Sequence, residues 1–132
     1  MADAVTNITT QQDTTSLYIH LTCISDATGE TAVTKVTKAN LIGITGAAPL
    51  KLSISIVRWA VQGFTSVRLL FDHTTDDVGM VLSGNGYDEF TGGNAAILDP
   101  GSAGGPGDLL LTSVGAVAGA TYDITLRVGK VG

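Results

Sequence analysis

The chain has 132 residues, of which 44% are hydrophobic and only 14% charged, and its formal net charge is −5 at pH 7. That length suits one domain with a single core, and the composition excludes disorder along the whole chain. The seven basic residues lie scattered from Lys35 to Lys130, which argues against bare nucleic acid as a partner, and no apolar run is long enough to cross a bilayer as a helix.

Residues 1–14 lack a core pattern and carry neither the basic nor the apolar region of a secretion signal, so they are expected as an extended N-terminal arm. Residues 15–132 then form the folded domain, made in a cytoplasm. From Leu17 onward the apolar period is two. "SLYIHLTCI" sets Leu17, Ile19, Leu21 and Cys23 on one face, and Cys23 reads as a small buried hydrophobe. "TAVTKVTK" (31–38) reads as a threonine-rich edge strand whose lysines discourage further pairing. A short helix is expected around residues 38–44.

"LKLSISI" places Leu50, Leu52, Ile54 and Ile56 inward, but Val57, Trp59 and Val61 carry the apolar parity afterwards. A bulge, or a strand leaving the sheet near Ile56, accounts for the flip. "SVRLLFD" contributes Val67, Leu69 and Phe71, "VGMVLS" contributes Val78, Met80 and Leu82, and "ATYDITLRV" contributes Tyr122, Ile124, Leu126 and Val128. Gly84-Asn85-Gly86 reads as a hairpin turn between "MVLS" and "YDEF". The expected fold class is all-β, a single antiparallel β-sandwich or jelly-roll-like barrel.

Chemistry is sparse. "FDHTTDD" gathers Asp72, His73, Asp76 and Asp77, but it lacks the EF-hand spacing, and aspartates are common in turns. A zinc site built on His20 or His73 would require another nitrogen or sulfur donor nearby. Asp88 and Glu89 are adjacent on a strand and so point to opposite faces, which excludes a glycosidase pair. In "LDPGSAGGPGDLLLT" (98–112), Gly107 leads into Asp108 and an apolar strand, not into the Lys and Ser or Thr of a phosphate loop. No catalytic residue, cofactor or metal is therefore expected. Among the seven aromatics, Trp59, Phe64, Tyr87 and Phe90 are left over from the core faces as candidate surface groups for a sugar.

"MADAV", "TGETAVTKV", "VRLLFDHTTDD", "SGNGYDEF", "GSAGGPGDLLLT" and "AGATYDITLRVGK" together resemble, in pattern and order over most of the chain, the small all-β virion proteins of tailed bacteriophages. The resemblance implies a non-enzymatic capsid decoration, or cement, protein at the virion surface, a homotrimer that binds the major capsid protein. It also admits a head-fibre or tail-associated attachment module that binds carbohydrate. On this reading Val5, Ile8 and Gln11 of the arm, and Gly101, Gly104 and Pro106 of a glycine-rich loop spanning 92–107, are the protein-contacting residues.

Overall fold

The computed structural model describes residues 3–90 and 96–131. Among the described residues ten strands run in chain order: β1 (Ala4–Gln12), β2 (Ser16–Asp26), β3 (Val33–Val36), β4 (Lys51–Gln62), β5 (Ser66–Phe71), β6 (Asp77–Leu82), β7 (Gly84–Glu89), β8 (Ile97–Leu98), β9 (Leu109–Val114) and β10 (Ala118–Val131). They form two antiparallel sheets. The larger has the order β1-β2-β10-β4-β7, with β8 also on β4, and the smaller has the order β3-β9-β5-β6. The helix expected around 38–44 is a single 3-10 turn, Lys38–Asn40.

Alternation builds the core. Leu17, Ile19, Leu21 and Cys23 of β2, Leu52, Ile54, Val57 and Val61 of β4, and Tyr122, Ile124, Leu126 and Val128 of β10 face Val67, Leu69 and Phe71 of β5 and Leu109 and Leu111 of β9. These side chains form one buried cluster between the sheets, the β-sandwich that the period of two predicts. Cys23 is buried as expected, and burial is the main cause that pushes its thiol up to about 12.

The parity flip in β4 is a bulge. Arg127 pairs with Ile56 and Val128 with Ile54, so Ser55 is the extra residue, and its Oγ donates to the Arg127 carbonyl at 3.2 Å. A second bulge corrects the expected inward face of β6. Leu69 pairs with Met80 but Leu70 with Val78, which leaves Gly79 extra and turns Val78 outward, 54% exposed. Leu50, expected inward, precedes β4 and is 73% exposed.

Residues 4–12 of the expected arm are extended, but they are paired along β2 as the edge strand of the larger sheet. The β1–β2 turn is organised by Asp13, whose Oδ1 accepts the Thr15 and Ser16 amides at 2.8 Å each. β3 is an edge strand of the smaller sheet, as expected, but Lys35 does not point to solvent. Its side chain is 0% exposed, and its Nζ lies 2.6 Å from Glu30 Oε2. Glu30 Oε1 in turn accepts the Tyr122 hydroxyl at 2.5 Å. The loop that carries Glu30 is held by the Ser113 hydroxyl, which accepts the Glu30 amide, and it is flanked by Ala27 and Ala32 at positive φ. An inward charge on an edge strand works against further pairing just as a solvated one does.

Gly84-Asn85-Gly86 is not a hairpin turn. β6 belongs to the smaller sheet and β7 to the larger, so the chain crosses between sheets at Ser83, and the three residues lie inside β7. Gly86 pairs with Trp59, and a Cβ there would come within 2.2 Å of the indole ring, whose Nε1 donates to the Ser83 carbonyl at 3.0 Å.

Removing one partner of the buried ion pair leaves the other charged and unpaired. Lys35→Met is expected to cost about 3–5 kcal/mol, read from urea titrations. Gly86→Ala should displace the only tryptophan, changing its fluorescence emission and costing about 1–3 kcal/mol.

Candidate functional site

Two loops that are distant in sequence meet at one rim of the sandwich. The first, residues 72–76, joins β5 to β6 in the smaller sheet. The second, residues 99–108, leaves β8 on the edge of the larger sheet and enters β9 of the smaller one. Backbone hydrogen bonds stitch them together: Gly107 N to Asp72 O at 2.8 Å, Asp72 N to Asp108 O at 2.9 Å and Thr74 N to Ala103 O at 3.2 Å. Asp99 is anchored to the larger sheet because its amide donates to the Leu52 carbonyl at 3.0 Å.

His73 fills the junction. Its Nδ1 lies 2.8 Å from the Gly104 carbonyl and its Nε2 2.6 Å from Asp99 Oδ1. A carbonyl can only accept, so Nδ1 carries a proton. The carboxylate also accepts, so the second proton sits on Nε2 and the ring is an imidazolium. The hydrogen bond to Asp99 is the largest cause that raises the His73 pKa, the Gly104 carbonyl and the Asp77 charge act in the same direction, and burial opposes them. The side chains of His73 and Asp99 are 6% and 2% exposed, so this ion pair is shielded from solvent.

The surroundings are acidic. Asp77 Oδ2 lies 3.8 Å from His73 Nε2, and Asp76 Oδ1 accepts the His73 amide at 3.2 Å. Asp99 Oδ1 also accepts the Gly101 amide at 2.8 Å, and Asp108 Oδ1 accepts the Lys38 amide at 2.8 Å. Burial first, and then the charges of Asp76 and Asp108, raise the Asp72 carboxyl above its ordinary value. The glycines make the approach possible. Gly105 and Gly107 both take positive φ (68° and 75°); a Cβ on Gly105 would meet the Asp72 carbonyl oxygen at 2.5 Å, and one on Gly107 would meet Asp99 Oδ2 at 2.6 Å.

Gly101 and Gly104, expected to contact a partner, thus bond Asp99 and His73 within the chain, while Pro106 is exposed. Residues 92–95 of the expected contact loop lie outside the described residues. On β1, Ile8 and Gln11 are exposed, whereas Val5 packs against the core. The candidate surface aromatics divide. Phe64 is buried at 8% exposure with its ring 6.0 Å from that of Tyr122, which corrects it to a packing role, whereas Trp59 and Phe90 are half-buried, each with part of its side chain against the core. Tyr87 is 51% exposed, with the Arg58 guanidinium 5.5 Å from its ring centroid. His20 lies elsewhere, on the outer face of the larger sheet, 2.6 Å from Asp123.

The sequence reading found His73 and its neighbouring aspartates but not Asp99, which reads as an ordinary turn residue in Asp-Pro-Gly. No protein family matches this chain, nor does any curated protein or solved structure.

The rim ion pair makes stability depend on pH. A raised histidine pKa means that the contribution of His73 is complete below the ordinary value of 6.5 and is lost as pH rises through the raised one. In metal-free buffer, the stability difference between wild type and His73→Gln should shrink between pH 6 and pH 9. A difference that stays constant across that range would contradict the imidazolium.

Proposed function

We propose that the protein is a non-enzymatic structural component of a phage virion, a capsid decoration protein that binds the major capsid protein as a homotrimer. The observation that carries this reading is an apolar surface at one rim. Ile42, Ile44 and Leu50 of the β3–β4 connection are 61%, 73% and 73% exposed, and Val131 at the end of β10 is 38% exposed. The connection is fixed there because Lys130 Nζ donates to the Ile42 carbonyl at 3.0 Å and the Leu50 amide donates to the Val131 carbonyl at 2.9 Å. Several large apolar side chains held in solvent on a well-packed body favour a protein partner.

The rest of the molecule is compatible with that role. The two sheets are tied by buried ion pairs at separate places, which suits a part that must hold its shape under load. The chain's resemblance to small all-β virion proteins supplies the capsid as the assembly. Many weak contacts on a repeating lattice add through avidity.

A second reading, an attachment module for carbohydrate, is favoured by a groove of about 260 Å³ on the outer face of the larger sheet, lined by Tyr18, Ile56, Arg58, Tyr87, Thr125 and Arg127. There Tyr87 offers a ring face and Arg58 a fork of donors.

Ile44→Glu combined with Leu50→Glu should leave the circular dichroism spectrum unchanged, reduce the solution mass from trimer to monomer and abolish incorporation into particles followed by mass spectrometry. Binding on a glycan array that Tyr87→Ala removes, with the protein absent from particle heads, would establish the attachment reading instead.

A further inference from the structure

The rim cluster contains a polar atom that the ion pair does not satisfy. Asp77 Oδ2 is buried and has no hydrogen-bond partner, and among the described residues it is the only such buried side-chain oxygen or nitrogen. A buried carboxylate oxygen is expensive to leave unpaired, and in a folded protein such an atom commonly marks a water or an ion. Here it faces an imidazole nitrogen 3.8 Å away, with a second carboxylate 2.6 Å from that same nitrogen.

We propose that His73 Nε2, Asp77 Oδ2 and Asp99 Oδ1 form a binding site for a divalent transition-metal ion of the zinc type, with the fourth position open to water or to a donor from a partner. The three residues come from the β5–β6 turn, the start of β6 and the position just after β8, and one ligand atom from each lies within 4.8 Å of the others. Tetrahedral arms of about 2.0–2.2 Å place donor atoms roughly 3.3–3.6 Å apart. The two separations from the ring nitrogen, 2.6 Å and 3.8 Å, bracket that range, and drawing the two carboxylates together from within 4.8 Å completes the set.

The supporting shell is in place. The Gly104 carbonyl accepts from Nδ1 and so leaves Nε2 as the donor toward the metal, while the Gly101 amide orients the Asp99 carboxylate. Gly107 leaves room for the Asp99 carboxylate, since a Cβ there would fall 2.6 Å from its Oδ2. Asp77, at 28% side-chain exposure, supplies the solvent-facing side through which an ion enters and a fourth ligand is exchanged. The donor set selects the metal class. Calcium takes six to eight oxygens and magnesium an octahedron of oxygens, whereas a nitrogen with two carboxylates suits zinc and its neighbours. Binding displaces the Nε2 proton to solvent, and the metal's double charge takes over the proton's role of holding the two carboxylates together. The ion would thereby clamp the loop from the larger sheet onto the turn of the smaller one. This inference rests on the rim geometry alone and does not depend on the virion reading.

The test uses the full chain stripped with EDTA, dialysed and titrated with ZnCl2. One zinc per chain by elemental mass spectrometry and a Tm raised by several degrees are expected, with no shift from CaCl2 or MgCl2 at the same concentration. Asp77→Asn keeps the shape of the side chain but removes a charge that faces His73, so each protein's zinc response is read against its own metal-free Tm; the variant should fold, bind zinc at least tenfold more weakly and show a correspondingly smaller rise in Tm. His20→Asn, which removes the other histidine, should bind as wild type does. No Tm response in the wild type, or an equal response in Asp77→Asn, would overturn the proposal, as would loss of binding in His20→Asn alone.

Discussion

An imidazole ring held between two acceptors, the Gly104 carbonyl and the Asp99 carboxylate, fixes the rim at which the two sheets exchange chain. The β8–β9 connection starts on the larger sheet and ends in the smaller one, and without a tie it would be ten residues of glycine-rich loop with little apolar area to bury. Glycine lets the backbone come close enough for the ring to reach both acceptors, and burial keeps the ion pair from being screened. The loop's composition is thus explained from within the molecule, as the condition for seating His73.

A second buried ion pair sits between the sheets. Lys35, Glu30 and Tyr122 link the edge strand β3, the β2–β3 loop and the central strand β10. Such pairs contribute little net stability compared with an apolar filling, but they penalise any arrangement that leaves one partner alone. Their value is to specify how the loops cross between sheets. A body fixed in this way presents the exposed side chains of Ile42, Ile44 and Leu50 in one geometry.

Faces governed by local alternation were legible in the sequence. Leu17 to Cys23 and Tyr122 to Val128 point inward as their period of two requires, and the parity flip near Ile56 is a bulge at Ser55. Features set by the pairing partner were not legible. Val78 turns outward because a second bulge lies opposite Leu69 and Leu70, which nothing in "VGMVLS" signals. "GNG" satisfies the composition of a tight turn, yet its last glycine is there to admit the Trp59 indole. Lys35 looks like a solvated edge residue until Glu30, five positions earlier, folds back to meet it. Asp99 lies 26 residues from His73, and Asp-Pro-Gly is so common in turns that its role as an ion-pair partner leaves no local trace.

That the charged hydrogen bond between His73 and Asp99 adds a tie between the two loops beyond their backbone hydrogen bonds is tested most directly by a double-mutant cycle in metal-free buffer near pH 6, combining His73→Gln with Asp99→Asn and reading stability from urea titrations. The account predicts a coupling energy of about 1.5–3 kcal/mol, the range for a hydrogen bond to a charged group. Additive effects, with coupling below about 0.5 kcal/mol, would contradict it.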